Sequence, residues 1–447
     1  MNFRCIAILF ILIGFMIASA HGQEITILPY LQNTSPNSTY ILWEVDAFGR
    51  GEVIYGKDPR ALNKSKKSIR SNTDSKHQLH AALIKNLKSN TKYYYRVLMG
   101  DGNTSELYSF KTPEVFRSRN ATQFILLSNI ERHQALPTIF KEICNDGILQ
   151  KSEDEIGLNP SDLEAILISG DMSNPGIEGY RDHFFKHGKD ILPYVPYYVI
   201  PGENEYLDDS LKNFVHFNRL PKNGPKTLNQ RVWYKDISNI RIIAVDTHLK
   251  GKEQAICKSW LEELLEKSCS YESIDFILLM MYHPSRSEFR PKPKPIFARY
   301  LIQQLDAFAN RCDKLVVHSS GEDHGYSKGF SNEARHVWIS PGSAAGVLDE
   351  WGIQKNIDVE EYSVSTDDYG FVLLNFTADE LPKVTFKRYS RGNDRMGQRN
   401  ALKDHFTVQK IASKPSQPIG IYPNKDSILN QCIRLKAAPF NDGNAKA

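Results

Sequence analysis

The sequence predicts two domains in one chain: an antiparallel all-β sandwich over residues 24–113, then an α/β sandwich with helices covering its sheet faces. Three observations predict this. Short strands with alternating apolar residues fill the first segment, separated by clusters of Gly, Asn, Asp and Ser. After Asn120 the alternation gives way to continuous apolar runs with helical segments between them, as strands buried on both faces require. Each of these runs ends in a polar loop, where sites of such folds sit.

The elements follow in order. Residues 1–22 carry a basic Arg4, an apolar run from Cys5 to Ile17 and the small residues Ala18-Ser19-Ala20. That is the layout of a cleavable secretory signal peptide, so a secreted, periplasmic or extracellular protein is expected. No later stretch is apolar for long enough to span a bilayer. Residues 23–114 form the sandwich. In "STYILWEV", Ile41, Trp43 and Val45 share one face, with Tyr40, Leu42 and Glu44 on the other. "GEVIYG", "HAALIKNL", "TKYYYRVLMG" and "LYSFKT" supply further strands. A linker precedes the second domain, residues 120–391. Its strands read as "QFILLSNI", "LEAILISGD", "PYYVIPG", "IRIIAVDT", "IDFILLMMYHP" and "KLVVHSSG". Helices are expected at "ALPTIFKEICNDGIL", "YRDHFFKHGKDIL", "QAICKSWLEELLEKS" and "PIFARYLIQQLDAFANR". The tail, residues 392–447, is weakly patterned and reads as peripheral or partly disordered.

Composition narrows the function. A formal charge of +4 is mild and argues neither for nucleic acid nor for an acidic membrane surface, so no nucleic acid partner is expected. Loss of Cys5 with the signal leaves Cys144, Cys257, Cys269, Cys312 and Cys432. Cys257 and Cys269 are near enough in sequence for a bridge, which spacing alone does not establish. No CxxC pair, GxSxG elbow or GxxxxGK[ST] loop occurs, which argues against a zinc knuckle, a serine hydrolase elbow and a P-loop.

The strand-end loops carry the chemistry: "SNIE" (128–131), "GDMSNPG" (170–176), "PGENEY" (201–206), "YHPSRS" (282–287) and "GEDHGY" (321–326). Carboxylates, amides and imidazoles converging from separate rigid strands are what a metal site needs. The order of these loops, with "PYLQNTSPNSTYILWEV" and "NLKSNTKYYYRV" before them, resembles purple acid phosphatase-like metallophosphoesterases of the calcineurin-like superfamily. The resemblance covers most of the mature chain. It implies a fibronectin-III-like N-terminal domain and an α/β domain of αββα layers. It also implies two metal ions bridged by an aspartate, which acidify a water for in-line attack on phosphorus.

Matched residue by residue, the resemblance makes Asp171 the bridging aspartate, His283 the fourth-motif ligand and His324 the last fifth-motif ligand. Elsewhere the chain departs from the pattern. Asn129 stands at the first-motif aspartate, Glu131 at a position often histidine, and Asn174 at the ferric ligand tyrosine. Glu203 replaces an asparagine ligand, Asn204 the catalytic histidine and Glu322 a histidine ligand. The implied shells are Asn129, Glu131, Asp171 and His324 for one ion, and Asp171, Glu203, His283 and Glu322 for the other. The second shell, being oxygen-rich, favours Mg²⁺, Mn²⁺ or Ca²⁺ over Zn²⁺, and the divalent ions expected are Mn, Mg, Ca, Zn or Fe. Arg132, Arg286 and Lys328 are the cations placed by sequence to neutralise a metal-free cluster. His133, His183, His187, His248 and His318 also fall near motifs and are expected to be structural. The function expected is a phosphoester hydrolase with an altered metal site, acting on a phosphoester small molecule or phosphorylated substrate. The alternative is an inactive pseudophosphatase that binds a partner.

Overall fold

The computed structural model describes residues 23–115, 121–149, 160–207, 211–290, 294–351, 358–393 and 397–410, with the short strands Gly420–Tyr422 and Lys436–Ala437. The expected signal peptide, residues 1–22, lies outside the described residues, as does most of the tail.

The sandwich is built as its alternation dictates. Ile41, Trp43 and Val45 turn inward to Val53, Tyr95 and Val97 of the facing four-stranded sheet. The opposite face of the same strand is not solvated. Leu42 packs in the core of the second domain, and Glu44, fully buried, receives the Arg181 guanidinium at 2.7 Å. This sheet therefore has two buried faces, and the reason is topological. The strand Ile25–Ser35 pairs in parallel with Tyr197–Val199, joining the sandwich to the α/β domain in one ten-stranded sheet.

A second sheet of seven strands packs face to face on that one. Phe124, Leu167 and Leu374 of the ten-stranded sheet meet Ile242, Leu278 and Val317 of the other. The helices Gly251–Ser270 and Ile296–Arg311 cover its outer face. Phe297, Leu301, Leu305 and Phe308 recur at helical spacing and bury against Ile243, Leu279 and Val316. Helical segments Ile139–Leu149 and Gly179–Phe185 cover the outer face of the ten-stranded sheet, with Phe184 edge-on to Tyr197. The order is helices, sheet, sheet, helices.

Two expectations change. The disulfide joins Cys269 to Cys312, the ends of the two outer helices, and Cys257 is a free, buried thiol. Cys257 faces the helix–sheet core, while Cys269 lies in the helix's last turn, beside Cys312. The start of the tail is also ordered structure. The strand Gly397–Gln409 pairs antiparallel with Lys383–Gly392, and Phe406 stacks on Phe386 at 4.4 Å between ring centroids.

Candidate metal centre

Two sets of parallel strands deliver their C-terminal ends to one edge of the paired sheets. Thr122–Leu127, Leu163–Ile168 and Tyr197–Val199 come from one sheet. Ile240–Val245, Phe276–Met281, Leu315–Ser320 and His336–Pro341 come from the other. The loops that follow must turn sharply. Asn129 and Asp171 both adopt left-handed backbone (φ 50° and 51°), the conformation Asn and Asp tolerate best among residues other than glycine.

"VIPGENEY" carries more structure than ligand. Glu205 is fully buried and accepts three main-chain N–H bonds, from Gly202 (2.7 Å), Asp171 (3.0 Å) and Met172 (3.0 Å). It therefore clamps the Asp171 loop to the loop that carries Glu203. Burial, with the nearby Asp171 charge, pushes its pKa up to about 8, against the pull of the amide donors. Asn204 donates its main-chain N–H to Asp171 Oδ1 at 2.8 Å, and Tyr282 donates its hydroxyl to Asp171 Oδ2 at 2.6 Å. A Cβ at position 202 would meet Asp171 Oδ1 at 2.4 Å, so Gly202 is required by this close approach.

Donor atoms of Glu131, Asp171 and His324 lie within 4.8 Å of one another. His324 Nδ1 donates to the Val347 carbonyl, which leaves Nε2 as the lone-pair nitrogen, 3.5 Å from Glu131 Oε1. Burial, followed by the Arg290 charge, pushes His324 down to about 4, so its imidazole is neutral. Burial and then the Asp171 charge push Glu131 well above the usual carboxylate range. Asp171 is raised by burial as well, opposed by its bonds from Tyr282 and Asn204. Two oxygens here are buried without a hydrogen-bond partner: Glu131 Oε2 and Asn129 Oδ1. The Asn129 amide nitrogen is committed to the Gly321 (2.6 Å) and Asp323 (3.1 Å) carbonyls, which fixes the side chain. Unsatisfied buried oxygens are rare and call for an explanation. A divalent cation held by oxygen donors and one neutral imidazole accounts for them, so these residues fit such an ion. An open cleft of about 580 Å³ reaches Glu131 and His324, walled by Arg132, Gln134, Asn174 and Val347.

A second group joins Glu203, His283 and His248, again with donor atoms within 4.8 Å of one another. The sequence reading set His248 aside as structural and placed Glu322 here instead. The structure pairs Glu322 with Lys294 at 2.9 Å, and that ammonium also lies 3.8 Å from Asp323. The legible signal for His248 was its place: "DTH" follows the apolar strand Ile240–Val245 just as the other polar loops follow theirs.

Two of the three cations named from the sequence lie elsewhere. Arg286 pairs with Glu361 and Lys328 with Asp404, while Arg132 lies at the cleft mouth. Among the described residues, Arg290 and Lys294, both from the loop after His283, bring positive charge to the centre. Arg290 is anchored on Asp349 at 2.8 Å. The other histidines named from the sequence make contacts within the fold, His187 edge-on to His183 at 4.8 Å between ring centroids. His133 Nδ1 accepts the Ala135 and Leu136 N–H groups, His183 bonds the Ile130 carbonyl, and His318 bonds His336.

Residues 27–112 match the family described as Purple acid Phosphatase, N-terminal domain. The structure is similar to purple acid phosphatase PPD1 from yellow lupin (Lupinus luteus) seeds, with a TM-score of 0.65 and 14% identity, over 85% of this chain and 73% of that one. It is also similar to PhoD, with a TM-score of 0.58 and 12% identity, over 86% and 90% of the two chains. A search of curated protein sequences finds no match. The chain has the purple acid phosphatase-like metallophosphoesterase fold, with a fibronectin-III-like N-terminal domain. Among the described residues no helix is long and apolar enough to cross a membrane.

Proposed function

We propose that the protein is an exported, metal-dependent phosphoester hydrolase with an altered, carboxylate-rich site. The Glu131–Asp171–His324 group carries this reading, because the unpartnered Glu131 Oε2, with Asn129 Oδ1 beside the group, and the neutral imidazole suit a divalent cation. Export is supported by the N-terminal pattern and by the Cys269–Cys312 disulfide, a bond of oxidising compartments.

When bound, divalent cations in such a site lower the pKa of a water and polarise the phosphoryl group. The chain's own residues do the positioning. Glu205 fixes the Asp171 loop, while Tyr282 and the Asn204 N–H orient its carboxylate. The Val347 carbonyl holds His324 in the tautomer that presents Nε2. Asn204 has no titratable proton, so the leaving group departs without the acid that a histidine would offer there. That loss is worth about 10²–10⁴ in rate for substrates with poor leaving groups. Activated aryl phosphates are therefore the substrates to try first.

The test is hydrolysis of p-nitrophenyl phosphate and bis-p-nitrophenyl phosphate by the mature chain, metal-free and with added Mn²⁺, beside Asp171→Asn. Metal-dependent turnover that disappears in the variant is the expected result. Turnover absent with Mn²⁺, Mg²⁺, Ca²⁺, Zn²⁺ and Fe alike would sink the hydrolase reading. A second reading then stands, that of an inactive pseudophosphatase acting as a binding protein. The Lys294–Glu322 pair favours it, since an ammonium already neutralises one family ligand position.

A further inference from the structure

We infer that the second cation site of this chain is rebuilt around His248, with Glu203 and His283, while Lys294 keeps Glu322 out of it. This rests on the metal-dependent reading above and goes beyond it, because His248 matches no ligand position of the motifs the chain resembles.

The imidazole is prepared for a ligand. The His248 main-chain N–H donates to Asp246 Oδ1 at 2.8 Å, and its Nδ1 lies 3.2 Å from the same oxygen. With Nδ1–H given to that carboxylate, Nε2 is the nitrogen left for a ligand, and it lies 3.3 Å from Glu203 Oε2, a contact that a cation between the two would replace. A histidine backed by a carboxylate is the usual arrangement of a metal-ligating imidazole. Asp246 is itself held: Arg231 Nε and the Tyr206 hydroxyl both donate to Oδ2, at 2.8 and 2.5 Å. Arg231 is fixed in turn by Glu253 at 2.7 Å. His248 also stacks on Tyr282 at 5.4 Å between centroids, and Tyr282 bonds Asp171, so the group adjoins the Asp171 carboxylate.

His283 is positioned in the same manner. The Thr247 hydroxyl oxygen accepts its main-chain N–H at 3.1 Å and lies 2.7 Å from its Nδ1, which turns Nε2 outward. Thr247 and His248 are adjacent, so one short loop orients both imidazoles. Their centroids are 4.5 Å apart. Glu322, by contrast, has its carboxylate on a Lys294 ammonium that is only 6% exposed, within reach of Asp323 as well. Freeing Glu322 for a metal would strand a buried ammonium, a cost that recruiting His248 does not carry.

The experiment is Mn²⁺ binding to the full mature chain by isothermal titration calorimetry, with bound metal counted by mass spectrometry. His248→Gln, Glu322→Gln and Glu131→Gln are compared with wild type. Expected are two bound Mn²⁺ in wild type, retention of both in Glu322→Gln, and loss of one in His248→Gln through at least about 10-fold weaker affinity. Two ions held by His248→Gln at wild-type affinity would overturn the proposal. So would one ion that Glu131→Gln loses and His248→Gln keeps, although that outcome leaves the hydrolase reading standing. No Mn²⁺ on wild type removes both. Pulsed electron paramagnetic resonance of the Mn²⁺-loaded wild type needs no substitution. Coupling to three imidazole nitrogens (His324, His283 and His248) supports the assignment, and coupling to two refutes it.

Discussion

The two donor groups lie side by side yet are built in opposite ways. Glu131, Asp171 and His324 are sunk into the sheet edge, where unpaired oxygens and like charges meet in low dielectric. Glu203, His248 and His283 sit at the rim, where the Glu203 side chain is 58% exposed and the imidazoles are braced from behind by Asp246 and Thr247. The first group is expensive to leave without a cation and the second is not. Affinity should therefore concentrate in the buried group, and the rim group should exchange its ion readily.

The largest effect expected from this contrast is on metal retention. Glu131→Gln should weaken the tighter Mn²⁺ site by more than about 100-fold, since it removes a desolvated charge with no replacement. Glu203→Gln should weaken only the looser site, by about 10-fold, because water can take the place of an exposed oxygen. Calorimetric titrations of the two variants decide the matter. Equal losses in both would break the distinction.

How much of this was legible in the sequence follows from the same contrast. Asp171, His283 and His324 stand at the ends of apolar strands in recurring polar loops, so their order along the chain exposes them. Glu205 is equally close to a motif, but its role as acceptor of three amides depends on how the loops after Leu163–Ile168 and Tyr197–Val199 fold onto each other. No local pattern encodes that. Lys294 lies in "PKPKP", which reads as a solvated linker, and only tertiary packing brings it to Glu322. The sandwich strands were plain from their alternation. Their junction with the α/β sheet was not, because Leu42 and Glu44 look like a solvated face until Arg181 and the second core cover them. The strand Gly397–Gln409 went unread because its polar residues outnumber the few, such as Phe406, that anchor it.

A smaller effect is expected at Asn204. Restoring a proton donor with Asn204→His should raise turnover of alkyl phosphates by about 10-fold or more, within the range that general acid help provides. Aryl phosphates with good leaving groups should gain little. The ratio of the two kcat values is the measurement. Equal gains would mean that the substitution changed binding or metal occupancy, not proton transfer. No gain on either substrate would mean that the acid comes from elsewhere in the rim group.

The smallest effect is on stability, and it separates the groups without any metal. Burial and then the Asp171 charge raise the folded-state pKa of Glu131. For a raised carboxyl the sign is fixed: its favourable contribution is complete below the unfolded pKa and is lost as pH rises through the folded value. At neutral pH the metal-free chain has therefore lost the stability that a protonated Glu131 gives in acid, and Glu131→Gln restores it. Its Tm should exceed that of wild type, by about 2 °C per kcal/mol restored. The difference should shrink toward zero below about pH 4, where both side chains are neutral in folded and unfolded chains alike. Glu203→Gln, at an exposed position, should leave the metal-free Tm unchanged near neutral pH. Scanning calorimetry of the chelator-treated proteins at several pH values reads all three curves. A neutral-pH gain in Glu203→Gln as large as in Glu131→Gln would show that the rim carboxylate costs stability on ionising too, and the two groups would then be one continuous site.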